Sequence, residues 1–493
     1  MNIGFDNDKY IKMQSEKILE RIKKYDKLYL EFGGKIFDDL HAERVLPGYD
    51  ASNKINILKK LSSDMEIFLV VSAIDIEKNK IRADFGITYD MEVLRLMDNL
   101  REQGLTVSTV VITLFEGQQA AKTFANKLEQ RGEKVYFHKF TKGYPSDINS
   151  IVSDEGYGAN PFIPSTKKLI VVAAPGPASG KLATCLSQIY HEHKVGVKAG
   201  YSKFETFPVW NLSLEHPVNY AYEAATAELK DENVLDPFHF AKYGKVAINY
   251  NRDVELFPVV KKILSKILKS EEEYSSPTDM GVNMVGYAIS NDELCKEAAR
   301  QEIVRRYYRI KVNFKKGLVA RDTVDRIEFI MEKAELSTNI RAVVAKANDL
   351  ARETGNPCVA LELPNGKIIT GRTKELLGSC AACALNAAKE IAGISDDTLL
   401  ISPEILYPIL SLKKETFGIK MGVLSLKDIM FALSICARTD KNASKALEAI
   451  KELKNCEAHS SNILNPSDED TMRKLKINMT SEPVFLSKNL FEI

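Results

Sequence analysis

Short apolar runs recur along the first half of the chain. Between them lie longer stretches in which apolar residues return every three or four positions. The runs at Lys27–Phe32, Ile67–Val71, Thr109–Thr113, Val135–His138, Leu169–Ala173, Val195–Val197 and Val246–Tyr250 predict strands. The stretches between them, such as Met91–Gln103 and Gly117–Arg131, predict helices, as do residues 9–24 with their alternating charges. Strand alternating with helix predicts an α/β fold, a mostly parallel doubly wound sheet with helices on both faces. Ligands in such sheets bind beyond the C-terminal ends of the strands.

The pattern then changes. Lys261–Glu273 is a charged helix running into an acidic stretch, and Asn291–Tyr308, Val324–Ala334 and Thr338–Glu353 have helical spacing. A second α/β region begins at Pro357. It reads as strand Cys358–Leu363, an Asn-Gly turn at Pro364–Lys367, strand Ile368–Gly371 and helix Ser379–Ala392, with a short helix near Asp468–Leu475. The expected division is an α/β phosphate-binding domain at 1–270, a helical domain at 271–355 and a C-terminal α/β domain at 356–493.

Composition narrows the classes. The 68 Lys and Arg residues balance 67 Asp and Glu residues, so no global field points to nucleic acid. No apolar run approaches the roughly 18 residues of a membrane span, and the N-terminus lacks a basic-then-apolar signal. Seven cysteines, an odd number in mostly apolar contexts, suit reduced thiols in a cytoplasmic protein. Size and the helical middle region suggest a homo-oligomer.

The segment Lys168–Thr184 carries the strongest chemical signal. An apolar strand runs into Pro175-Gly-Pro-Ala-Ser-Gly-Lys181, and Gly180-Lys181 opens a helix. A helix start presents N–H groups without intrahelical partners at the positive end of its dipole. The donors Gly176, Ala178, Ser179, Gly180 and Lys181, with the ammonium of Lys181, suit a phosphate. The match to G-x-x-x-x-G-K-[ST] is degenerate. Pro175 stands at the first Gly position, and Leu182 replaces the metal-binding hydroxyl, with Thr184 two residues further on. The alternative is a tight turn of an α/β unit.

Other polar turns follow predicted strands. Gly33-Gly34 precedes Lys35, His41 and Arg44, a set suited to a phosphate or carboxylate, or an ordinary surface segment. Lys203, Glu205, Thr206 and His216 lie in an aromatic, proline-rich stretch that reads as a substrate-facing loop or a packed junction, and Trp210 reads as core. Arg252 is a candidate oxyanion clamp. Asp253 is a candidate metal ligand or, more simply, the N-cap of helix Val254–Leu268. Thr278 or Asp279 reads as a cap. His191 and His193, two apart on a helix, face different ways and make a poor zinc pair. Cys380 and Cys383 open a helix as a redox pair or, more simply, as small packing residues. Neither H-E-x-x-H nor G-x-S-x-G occurs, so proteolysis finds no support.

Four segments together, Phe32–Gly48, Ala174–Cys185, Asn249–Pro258 and Ser276–Met284, resemble a bacterial family of proteins of unknown function, some of whose members carry an "ATP-dependent peptidase" label. The resemblance covers nearly the whole chain and implies a shared fold without naming a reaction. Residues 357–405 resemble the cytidine-deaminase core, where Cys383-Ala-Leu-Asn-Ala-Ala388 stands in for its C-A-E-R-A-A helix start. Leu385 occupies the place of the glutamate and no P-C-x-x-C follows, so the resemblance implies topology without zinc or deamination.

These readings converge on binding of a small phosphorylated molecule, ATP or another nucleotide, with magnesium as an accompanying ion. Gly33, Gly34, Lys35, Arg44, Gly176, Ala178, Ser179, Gly180, Lys181 and Thr184 are the binding candidates. Lys181, Arg252 and His216 are the catalytic ones, for phosphoryl or nucleotidyl transfer. A non-catalytic sensor or scaffold is the alternative.

Overall fold

Seven strands make one sheet: β1 (Lys27–Phe32), β2 (Met65–Ser72), β3 (Val107–Thr113), β4 (Val135–Phe137), β5 (Leu169–Ala173), β6 (Ala199–Phe204) and β7 (Gly281–Val282). The computed structural model describes residues 3–37, 39–82, 86–419 and 422–487, so Asp38 of the first polar turn lies outside the described residues. The order is β7-β6-β1-β5-β2-β3-β4 and every pairing is parallel. Helices cover such sheets on both faces, so the inner strands are apolar at successive positions. All eight residues of β2 and all five of β5 are buried.

Helices α1 (Lys181–Lys194) and α2 (Asn251–Leu268) pack on one face of this sheet. Cys185, Leu186 and Ile189 of α1 and Phe257, Val260, Ile263 and Leu264 of α2 meet Tyr29, Tyr201 and Ile170 in one buried cluster. Their apolar spacing places one stripe of each helix against the strands.

Two of the strand expectations change. Val195–Val197 is no strand. It closes α1, with Gly196 at φ +84° and the Val197 N–H returning to the Glu192 carbonyl at 2.9 Å, and β6 begins at Ala199. An apolar pair around a glycine is here a helix stop. The run ending at Tyr250 contributes Ile248–Tyr250, which pairs antiparallel with Asn233–Leu235 in a separate two-stranded ribbon.

The strand order contains a reversal. From β1 the chain passes β5 to reach β2, then β3 and β4. From β5 it passes β1 to reach β6 and then β7. β1 and β5 are neighbours whose connections leave in opposite directions, which opens a crevice beyond their C-terminal ends. Gly33-Gly34 follows β1 and Gly176–Lys181 follows β5, so both glycine turns lie there.

The chain divides into two compact units, Met1–Arg300 and Gln301–Ile493, and the helical stretch 271–355 is shared between them. The second unit holds a four-stranded mixed sheet in the order 368–372, 358–362, 457–460, 478–481, with two antiparallel pairings and one parallel. Gly366 turns the first hairpin at φ +82°. Helix α3 (Ser379–Ala392) packs on the sheet through Cys380, Cys383, Ala384 and Ala387. Burial pushes both thiols up, Cys383 to about 12, as befits packing residues. No helix among the described residues is long and apolar enough to cross a membrane.

Candidate functional site

The turn after β5 is built around two left-handed residues, Ala178 at φ +56° and Gly180 at φ +85°. A Cβ on Gly180 would stand 2.9 Å from Thr113 Oγ1, so conformation and space both call for glycine. Thr113, at the end of β3, donates to the Ser179 carbonyl at 2.6 Å, and Ser179 Oγ donates to the Gly176 carbonyl at 2.7 Å. The turn's carbonyls are thereby drawn inward. Among the described residues no acceptor outside the helix ladder takes the N–H groups of Gly176, Ala178, Ser179, Gly180 or Lys181. Gly180 caps α1 without a side-chain bond.

Lys181 opens α1 with its side chain 12% exposed, and its Nζ lies 3.9 Å from Glu31 Oε1 of β1. Burial lowers its pKa. Glu31 opposes that shift, while the cations Lys203 and Arg252 reinforce it. Glu31 is held in turn by the Tyr201 hydroxyl, which donates to Oε2 at 2.8 Å. Thr184 does not face the crevice. It is fully buried and its hydroxyl donates to the Gly180 carbonyl at 3.0 Å.

Parallel register places Lys203 of β6 beside Glu31 of β1. Lys203 Nζ lies 2.8 Å from Glu205 Oε1 and also contacts Asp253 Oδ2 and the Tyr250 hydroxyl. Burial works against its charge, but Asp253, Glu205 and Tyr250 outweigh it and hold its pKa well above the ordinary value. Burial also raises the pKa of Glu205, against the pull of Lys203 and with the help of Asp253. Asp253 is therefore not a cap. Helix α2 starts at Asn251, whose N–H is taken by the Glu232 carbonyl at 2.8 Å, and Asp253 in its first turn reaches Lys203 instead.

Arg252 stands near Lys181, but its two-pronged face already grips Asp231, Nε to Oδ1 at 2.6 Å and Nη2 to Oδ2 at 2.9 Å. Its side chain is 48% exposed.

The turn after β1 makes a neighbouring cluster. Gly33 donates to the Phe204 carbonyl at 2.9 Å, and a Cβ there would meet that oxygen at 2.4 Å, so the turn lies tight against β6. Gly34 follows at φ +69°. Lys54 is fully buried behind them, 2.8 Å from Asp39. Burial works against the Asp39 carboxylate, and Lys54, His41 and Lys35 more than offset this, lowering its pKa. Lys35 thus adds its charge to the field on Asp39. Arg44 sits, half-buried, in the last turn of helix Leu40–Val45. His41 packs edge-on to Phe207, whose ring stacks on Tyr222.

His216 has other work. Its Nδ1 accepts the Val218 N–H at 3.2 Å as the N-cap of helix Pro217–Ala225, and its Nε2 lies 3.0 Å from Asp292. Burial lowers its pKa, against Asp292. At the other polar turn, Ser276 is the cap rather than Thr278 or Asp279. Its Oγ accepts the Asp279 N–H at 3.0 Å, and Thr278 Oγ1 donates to Asp236 at 2.6 Å. His191 and His193 contact separate carbonyls, those of Asn160 and Ala199.

The geometry thus gathers Lys181, Glu31, Lys203, Glu205, Asp253 and Arg252 at the strand ends. Sequence reasoning did not assign Glu31, Tyr201, Tyr250 or Asp231 a role. One signal was available: Glu31 in β1 and Lys203 in β6 are each the penultimate residue of their strand, a charged residue followed by Phe. Phe32 and Phe204 stack at 4.3 Å.

Fold and site define a doubly wound α/β protein with a charged cluster at the switch point of its sheet, joined to a second unit with a mixed sheet. The chain belongs to the family whose two parts are described as "Domain of unknown function DUF1846, N-terminal", matching residues 3–335, and "Domain of unknown function DUF1846, C-terminal", matching residues 339–491. A "UPF0371 protein" of Clostridium botulinum (strain Kyoto / Type A2) is 55% identical over 499 aligned positions, covering 100% of this chain and 99% of the relative. One of Clostridium tetani (strain Massachusetts / E88) is 54% identical with the same coverage.

Proposed function

We propose that the crevice at the ends of β1 and β5 binds the phosphate group of a nucleotide or small phosphorylated metabolite. The N–H groups of Gly176 and Ala178–Lys181 are its ligands, and Lys181 supplies the neutralising charge. One observation carries this reading: a turn whose amides find no acceptor among the described residues stands beside a largely buried ammonium whose ion pair spans 3.9 Å. That separation exceeds hydrogen-bond distance, and an anion arriving at the amides would complete the coordination of Lys181.

Arg252 adds field rather than a clamp, because Asp231 occupies its fork. Lys203, fixed by Asp253 and Glu205, contributes charge on the β6 side. Positioning and electrostatics of this kind support phosphoryl or nucleotidyl transfer without a protein nucleophile. A second reading, a sensor that binds without turnover, is favoured by Thr184. Its hydroxyl donates to the Gly180 carbonyl, Ser179 Oγ donates to the Gly176 carbonyl, and Leu182 carries no oxygen at the position where a phosphate loop has its metal-binding hydroxyl.

The test is a thermal-shift and calorimetric screen of the full chain against ATP, GTP and sugar phosphates. Saturable binding that Lys181→Ala abolishes without loss of fold supports the reading. Binding unchanged by that substitution, or no binding at all, overturns it. Product formation from a bound nucleotide separates enzyme from sensor.

A further inference from the structure

A cavity lies wholly inside the second unit. It occupies about 1020 Å³ between the edge strand Ile368–Arg372 and α3, at the upper end of small-molecule sites. Its inner end is set by a close approach. A Cβ on Gly371 would stand 2.1 Å from the Cys383 main-chain nitrogen, so only glycine lets the strand lie against the helix there. Asn386 Nδ2 ties the helix to the strand through the Thr370 carbonyl at 2.9 Å.

The walls are of two kinds. Helix positions 382, 385, 386 and 389 form one stripe, with Ala382 and Leu385 apolar. Leu376, Leu400 and Leu406 complete an apolar floor. The rim is cationic: Arg372, Lys374 and Lys389 stand against the single carboxylate of Glu375. Lys389 is fixed by donating to the Asp396 carbonyl at 2.7 Å. Arg372 and Lys374 are exposed, and neither makes an ion pair among the described residues. An apolar floor beneath unpaired cations is complementary to one kind of guest.

We propose that this cavity is a second ligand site, for a small molecule with an anionic head and an apolar body. The head meets Arg372 and Lys374, and the body lies on Leu376, Leu385 and Leu400. The site shares no residue with the phosphate cradle and stands whether or not the cradle binds phosphate.

The probe is 1-anilinonaphthalene-8-sulfonate, titrated by fluorescence into the native full chain beside its uncharged relative N-phenyl-1-naphthylamine. The expected result is one saturable site that holds the sulfonate about tenfold more tightly than the neutral dye, a charge-assisted contact expressed as affinity. The Arg372→Ala/Lys374→Ala variant removes that preference, Leu385→Trp fills the cavity and removes binding, and Lys181→Ala leaves both intact. Melting temperatures establish that each variant is folded. If Leu385→Trp unfolds, the double variant, altered only at exposed positions, decides alone. Absence of saturable binding, equal affinity for the two dyes, or sulfonate binding indifferent to the loss of both cations overturns the proposal.

Discussion

Lys181 Nζ, from the start of the helix that follows β5, lies 3.9 Å from Glu31 Oε1 on β1, the neighbouring strand whose connection leaves the other way. The pair is close enough to hold a charge in place and too far apart to satisfy it. Lys181 is also crowded by Lys203 and Arg252. An anion at the turn would relieve that crowding, and Glu31 opposes the anion's arrival.

Two substitutions therefore act in opposite directions. Lys181→Met abolishes binding of a phosphate ligand, whereas Glu31→Gln strengthens it by about tenfold, because a carboxylate near the site repels the ligand and Gln keeps the Tyr201 contact. Stability adds a second readout. The folded pKa of Lys181 lies below its unfolded value. Its charge therefore costs stability at neutral pH, a cost relieved as pH rises from the lowered folded value up to the unfolded value near 10.5. The melting temperature of Lys181→Met is then equal to or above that of the parent, while calorimetry registers no binding.

His216 separates a structural role from a catalytic one. Both its ring nitrogens are engaged, one as a helix cap and one by Asp292. His216→Ala should destabilise the protein by about 1 kcal/mol, the usual cost of a lost cap. It should leave ligand affinity in calorimetry unchanged. A stable variant with lost affinity would return His216 to the binding machinery.

Much of this architecture was readable from spacing. β1 and β5 fall on the residues their apolar runs name, and Ser379–Ala392 is helical over the length its pattern predicts. Local pattern decides such elements, because the core accepts nearly any apolar residue at the right period. Pairing was less accessible. That Glu31 lies beside Lys203, or that Arg252 spends its fork on Asp231, follows from strand order and register, and no local signal encodes either. Val195–Val197 misleads because an apolar pair serves a strand or a helix stop equally well, and the positive φ of Gly196 decides between them. Asp253 misleads similarly. A polar residue before an apolar run fits a cap, but α2 had already begun two residues earlier.

His138 contributes to the acid sensitivity of the first unit. Burial, with nearby His191 adding to it, lowers its pKa from 6.5 to about 4. The folded state binds its proton less readily than the unfolded chain. The stability contribution is full above pH 6.5 and is lost progressively as pH falls toward 4. The loss across that window is up to about 3 kcal/mol at 1.36 kcal/mol per pKa unit. Denaturant titrations at pH 7.5 and pH 5 should record the fall, and His138→Gln should flatten it. An unaltered pH profile in that variant would assign the sensitivity elsewhere.

The second unit makes a sharper case. Arg341 is buried with no side-chain exposure, and Glu457 bridges it to Arg305, whose Nη1 lies 2.7 Å away. Burial lowers the pKa of Arg341, and the neighbouring Glu457 carboxylate counters it. Removing the carboxylate leaves a guanidinium in the interior whose remaining hydrogen-bond partners among the described residues are the Ala458 and Asn478 carbonyls and the Thr480 hydroxyl, with the Glu302 carboxylate, already engaged by Arg305, as the other nearby negative charge. Arg305 fares better, because Glu302 still holds its Nε at 2.7 Å. Glu457→Ala should thus cost about 3–5 kcal/mol, the penalty of an uncompensated buried charge. An apolar pair of similar volume removes both charges at once, so Arg341→Met/Glu457→Met should recover most of that loss. Urea unfolding of the two variants measures the difference. If the double substitution is as damaging as the single one, packing around Arg341, and not its charge, is what the ion pair secures.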